Sequence, residues 1–235
     1  MKTFKNKSKG EAAAAKANAV GAQNKKDEEK IIVHNLLILD ESGSMQSIYR
    51  QALSGCNDTI QSVRAADKRH ENQRHRFSLV AFNSTETRTI LDDVPIAEVR
   101  DLTEEDYLPD ACTPLYDAMG RAITALERQV KEGDRVLVTV VTDGEENDSR
   151  EYSLDAIRAM TGRLREKGWT FIYMGANQDA DAVAVGLNIR NKLTFEATVS
   201  GTMEMYRRCN KGQNYFFDKL AEMGRDLGAC DDIPF

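Results

Sequence analysis

Nine consecutive residues, Ile31-Ile-Val-His-Asn-Leu-Leu-Ile-Leu39, leave almost no polar face on an extended chain. A strand with one wet face alternates apolar and polar positions. A near-continuous apolar run instead needs cover on both sides, as in the centre of a parallel sheet. This run ends on Asp40, and a second one, Arg135-Val-Leu-Val-Thr-Val-Val141, ends on Thr142-Asp143-Gly144. Between and after them the apolar period changes to that of helices. Ile48, Leu53, Ile60 and Val63 mark a helix over about 47–66, and Leu115, Met119, Ile123 and Leu126 mark another behind Pro114, a residue tolerated at a first helical position.

Phe77–Phe82 and Thr87–Leu91, joined by a short polar link, predict a hairpin. Further strands are expected at Trp169–Met174 and Leu193–Phe195. Helices are expected over 153–167, 178–185 and 201–223. Strands alternating with helices predict an α/β fold: a doubly wound, mostly parallel sheet with one antiparallel edge strand and helices on both faces. His34, inside the first apolar run, reads as a satisfied core or edge histidine. His70 and His75 sit in a highly charged connection and read as surface residues.

Charge divides the chain into parts. Of its 32 Lys and Arg and 38 Asp and Glu, residues 1–30 hold eight Lys and four acids, a local +4. That leaves 24 basic and 34 acidic residues, or −10, for the rest. Residues 1–30 carry almost no large apolar side chain and predict a flexible basic arm. Residues 31–223 form the expected domain and 224–235 an acidic tail. An acidic body argues against direct nucleic-acid binding, which needs clustered Lys and Arg. No apolar stretch approaches the roughly 20 residues of a membrane span. Four scattered cysteines and no recognisable secretory signal give a cytoplasmic expectation.

Ligands of open α/β sheets bind beyond the carboxyl ends of the strands. Three loops predicted there carry oxygen donors: Asp40-Glu41-Ser42-Gly43-Ser44, Ala111-Cys112-Thr113-Pro114 and Asp143-Gly144. Hydroxyls and carboxylates without imidazole or thiolate suit a hard cation such as Mg²⁺ or Mn²⁺. Capping and turn preferences of Ser, Asp and Gly explain each loop singly but not their coincidence.

Asp40-x-Ser42-x-Ser44, a distant Thr113 and a later Asp143-Gly144 resemble the complete metal-ion-dependent adhesion site of von Willebrand factor A domains. The resemblance implies Ser42, Ser44 and Thr113 as direct ligands, Asp40 and Asp143 bound mainly through water, and an open position for a protein partner's carboxylate. Stretches at Thr113–Ala118, Asp143–Asn147 and Tyr173–Gln178 resemble a bacterial and phage branch of that family. The implied function is a non-enzymatic, metal-dependent protein-interaction module. The competing reading is a metal-dependent phosphohydrolase with Asp40 as nucleophile. It meets a difficulty at position 42, where the haloacid-dehalogenase pattern D-x-D has Asp and this chain has Ser.

The final residues, Asp231-Asp232-Ile233-Pro234-Phe235, resemble the tail of bacterial single-stranded DNA-binding proteins. That likeness implies an outward-reaching segment that docks on the receptors of that tail, making the chain an adaptor in DNA maintenance. Phe235 would fill an apolar pocket while the aspartates face basic residues.

Overall fold

The computed structural model describes residues 30–176 and 180–235. The first apolar run becomes β1 (Ile31–Asp40), and β2 (Gln73–Phe82), β3 (Thr87–Pro95), β4 (Arg135–Thr142), β5 (Thr170–Ala176) and β6 (Asn191–Phe195) follow. They form one sheet in the order β3-β2-β1-β4-β5-β6. Only the β2–β3 pair is antiparallel. The expected fold class therefore stands, with the hairpin strand at one edge. The arm read into residues 1–30 and the helix start read at Gln178 fall outside the described residues.

Among the described residues five α-helices cover the sheet: α1 (Tyr49–Arg69), α2 (Leu115–Glu127), α3 (Leu154–Glu166), α4 (Ala180–Gly186) and α5 (Val199–Met223). The period of two in β1 divides its side chains between two cores. Val33, Leu37 and Leu39 pack with Ile60 and Val63 of α1 and with Phe216, Phe217 and Leu220 of α5. Leu36 and Ile38 pack on the other face with Ile123 of α2, Ile157 of α3 and Ala184 of α4. Because α1 and α2 lie on opposite faces, a crevice opens where β1 and β4 end side by side. This is the topological switch point, and Asp40 and Thr142 close the two strands there.

Two histidine expectations have different outcomes. His34 is buried between two carboxylates, with Nδ1 2.7 Å from Asp93 Oδ1 and Nε2 3.2 Å from Asp134 Oδ2. His75, by contrast, is no surface residue. It is buried in β2 on the face that also carries Gln73, Phe77 and Leu79, and its ring meets Phe217 edge-on. The outward-facing Arg74 and Arg76 disguised that alternation as a charged link. Burial, helped by nearby positive charge, pulls the His75 pKa down to about 3, so it stays a neutral hydrogen-bonding group. Asn35 Nδ2 meets its Nδ1 at 3.3 Å, and Gln73 Oε1 meets its Nε2 at 3.0 Å.

The last segment lies on the body instead of reaching outward. Gly224, at φ +62°, ends α5 and turns the chain back, so this glycine redirects the segment and does not release it. Leu227, Cys230 and Ile233 are buried, and Phe235 packs against the same core. The backbone N–H of Ile233 donates to Asn191 Oδ1 at 3.0 Å, and Asn191 Nδ2 donates to the Cys230 carbonyl at 2.7 Å. Asp231 pairs with Arg165 at 2.5 Å and Arg190 at 3.2 Å, and Asp232 pairs with Lys219 at 2.9 Å. Gly212 of α5 makes the seat, since a Cβ there would stand 2.6 Å from Ile233 Cγ2 and 3.0 Å from the Phe235 ring. Sequence alone shows the acids and not their cations, which come from α3, α5 and the loop that precedes β6.

Burial of one Ile side chain contributes about 1.5–3 kcal/mol, and Phe235 adds part of its ring. Deleting residues 231–235 is therefore expected to lower the unfolding free energy by about 3 kcal/mol in urea denaturation. A segment hanging free in solvent would leave the transition midpoint where it was.

Candidate metal centre

β1 delivers Asp40 into the crevice with its side chain fully covered. Its Oδ1 accepts the Ser42 N–H at 2.7 Å, and its Oδ2 accepts the Thr142 hydroxyl at 2.5 Å. The chain then enters a tight 3-10 turn, Gly43–Ile48, whose preceding Ser42 is extended at φ −72° and ψ 163°. That bend brings Ser42 Oγ within 3.1 Å of Ser44 Oγ, and Ser44 Oγ donates to Asp143 Oδ1 at 2.6 Å.

The second loop is stitched to the first through the backbone. Gly43 N–H donates to the Ala111 carbonyl at 3.0 Å, and Asp110 N–H donates to the Glu41 carbonyl at 2.9 Å. Thr113 is clamped from the third loop: its N–H reaches Asn147 Oδ1 at 2.9 Å, and Asn147 N–H reaches its carbonyl at 3.2 Å. Gly144 lets the hydroxyl in, because a Cβ there would lie 2.9 Å from Thr113 Oγ1 and 3.7 Å from Ser44 Oγ. All five residues singled out in the sequence thus meet at one place. Cys112 of the second loop is exposed. Its N–H donates to Ser84 Oγ at 3.0 Å.

Several supporting residues carried no sequence signal. Glu41 occupies a variable slot of the first motif, yet it is buried and paired with Arg88 at 2.5 Å. It also accepts the Leu108 N–H. The Tyr107 hydroxyl donates to the Asp40 carbonyl at 2.8 Å. Asp117 accepts the N–H groups of Arg150, Glu151 and Tyr152 and so ties the third loop to α2. Only Thr142 was within reach of sequence reasoning, since it directly precedes Asp143 at a strand end.

Burial shifts both carboxylates of the cluster toward their protonated forms. Burial raises the Asp40 pKa to about 6, and the nearby Asp143 carboxylate pushes in the same direction. Burial also raises the Asp143 pKa, against the Ser44 hydrogen bond. Two carboxylates and three hydroxyls form an oxygen-only donor set of the kind hard cations prefer. Among the described residues no group of three His, Cys, Asp or Glu side chains gathers as a metal site. The five residues offer neither thiolate nor imidazole, the donors a soft metal selects.

Comparison with known proteins agrees with this architecture. The von Willebrand factor type A domain profile matches residues 36–200. The chain belongs to that family. Among solved structures, the von Willebrand factor domain of the type V pili tip protein Mfa5 from Porphyromonas gingivalis is similar, with TM-score 0.58 and 12% identity over 80% of this chain and 97% of that one. The PilB minor pilin from Streptococcus sanguinis gives TM-score 0.55 and 12% identity over 84% of this chain. Proximal thread matrix protein 1 from the mussel byssus gives 0.56 and 13% over 77%. This von Willebrand factor A chain spans 62% of that PilB chain and 46% of the byssus protein, less than two thirds of either. At such identities the likeness is one of fold. Among curated proteins no sequence matches significantly.

Two outcomes follow from the geometry. Folding raises the Asp40 pKa from 3.8 to about 6, so ionising it in place opposes folding. In the cation-free chain this group's effect lowers stability as pH rises from about 4 through about 6. A cation must displace the same proton, so Mn²⁺ affinity is expected to fall between about pH 7 and pH 5, with proton uptake or release read by calorimetry in buffers of different ionisation enthalpy. Equal affinity at the two pH values, without proton exchange, would remove Asp40 from the site. Gly144→Ala is expected to displace the Thr113 hydroxyl and weaken Mn²⁺ at least about tenfold, roughly 1.4 kcal/mol, with an unchanged circular dichroism spectrum.

Proposed function

We propose that this von Willebrand factor A domain is a protein-interaction module that holds Mg²⁺ or Mn²⁺ through Ser42, Ser44, Thr113, Asp40 and Asp143. With the cation bound, the module captures an acidic side chain of a protein partner. The observation that carries this reading is the convergence of three loops, distant in sequence, on one oxygen-only cluster at the switch point of the sheet. Bound there, the cation would offset the two carboxylates and offer a Lewis-acid position to an incoming oxygen. The chain's own part is to fix the donors. Thr142 and the Ser42 N–H aim Asp40, Asn147 clamps Thr113, and Glu41 with Arg88 holds the loop around Leu108 against the first motif.

The phosphohydrolase reading asks Asp40 to attack a substrate. Its side chain is covered and both its oxygens already accept hydrogen bonds, so the observations favour a holding role over a nucleophilic one. Among the described residues no helix is long and apolar enough to cross a membrane. Docking of Asp231–Phe235 on receptors of the single-stranded DNA-binding protein tail would require Ile233 and Phe235 to leave α5, and the packing favours a structural role for them.

The test is a pull-down from the native host using the full chain with Mn²⁺, with chelator, and with Ser42→Ala/Ser44→Ala. Proteins retained only by the wild type with Mn²⁺, together with loss of Mn²⁺ binding in the double variant, are expected. A double variant that binds Mn²⁺ as tightly as the wild type would overturn the assignment. Metal-dependent turnover of a phosphate ester, abolished by Asp40→Asn, would restore the enzyme reading.

A further inference from the structure

The metal loops share a wall with a groove of about 490 Å³. Leu108, a large apolar side chain 57% exposed, stands over it beside Pro109. On its far side Tyr49 stacks on the buried Tyr107, with ring centroids 5.6 Å apart and planes within 6°. The groove adjoins the candidate metal centre, because its residue Asp110 is backbone-bonded to Glu41 and the adjoining Ala111 to Gly43. Gln46, two residues beyond Ser44, lines the same space.

The charged side chains that line this groove are both acidic. Glu86 and Asp110 line it with exposed carboxylates, and exposed Glu104 lies beside it, its carbonyl accepting the Tyr49 hydroxyl at 3.2 Å. Arg88 is shared between the buried Glu41, at 2.5 Å, and Glu86, at 3.4 Å, so it offsets Glu86 only in part. A partner bringing a carboxylate to the cation must therefore pass Asp110 and Glu104 as well as the partly offset Glu86, and a compensating cation on the same segment makes that approach more favourable. An exposed Leu beside a tyrosine-walled groove likewise favours a large apolar side chain in the space between them.

Resting on the reading above, we propose that the partner presents its carboxylate within a short segment carrying two further features. One is an aromatic or large aliphatic residue that seats between Tyr49 and Leu108. The other is a Lys or Arg that faces Glu86 and Asp110. The groove and its rim thereby decide which acidic residues the metal centre accepts.

The experiment selects a displayed peptide library, with one fixed Asp between randomised positions, on the full chain in Mn²⁺, eluting with EDTA. Mn²⁺ binding is measured separately on every variant. The expected result is enrichment of a large apolar residue and a Lys or Arg at constant offsets from the Asp. For the enriched peptide, Leu108→Ser is expected to lower affinity at least about tenfold. Glu86→Lys should lower it about threefold or more at low salt and much less at high salt. Both variants keep wild-type Mn²⁺ affinity, since neither residue donates to the cation. EDTA-eluted peptides with no preference at the flanking positions, or with affinities indifferent to both variants, would overturn the groove proposal and leave the metal centre standing. Absence of Mn²⁺ binding by the wild type would take both down together.

Discussion

The molecule is organised around one covered carboxylate. Asp40 ends the central strand, and its two oxygens join the first metal loop, through the Ser42 N–H, to the end of β4, through the Thr142 hydroxyl. An ionised carboxylate out of water is unfavourable unless hydrogen bonds or opposite charge compensate it. Here the hydrogen bonds do so only in part, because the pKa still rises to about 6. At the switch point burial therefore holds this carboxylate closer to its neutral form than an exposed one would be. Direct backbone and side-chain hydrogen bonds hold the three loops in register around that carboxylate.

The supporting bonds form a second layer behind the five clustered donors. Asn147 grips the Thr113 backbone from both sides, Asp117 gathers three consecutive N–H groups of the third loop, and Glu41 bonds both Arg88 and the Leu108 N–H. Each of these acts on a loop backbone and leaves the candidate ligands' hydroxyls facing inward. Pre-positioned donors of this kind lower the ordering entropy that binding would otherwise have to overcome.

Much of this was legible in the sequence, for definite reasons. β1 and β4 are buried on both faces and so read as continuous apolar runs, and the donors follow them immediately. Helix ends were close, with Ser153 capping α3 as Ser and Thr commonly do. What stayed hidden depended on distant partners. His75 lay in a stretch whose charges alternate with buried residues, so its period of two was masked. The segment 224–235 read as a free acidic tail because Arg165, Lys219, Asn191 and the gap at Gly212 are remote in sequence and meet it only in the folded sheet. Glu41 showed nothing in its motif of the arginine waiting on β3.

The strand order also bears on how quickly such a chain acquires its shape. β1 pairs in parallel with β4, and the register joins Leu37 to Thr139, about a hundred residues further along. Parallel partners cannot zip up from a tight turn, whereas the antiparallel β2–β3 ribbon can close locally within microseconds. Closing the long loop between β1 and β4 is entropically opposed until both helical layers are in place to reward it. The crevice at their carboxyl ends is therefore among the last features to take form. During that interval the two most apolar strands of the chain stand open to other molecules, and the kinetic hazard of this fold is concentrated in the same strands that build its site.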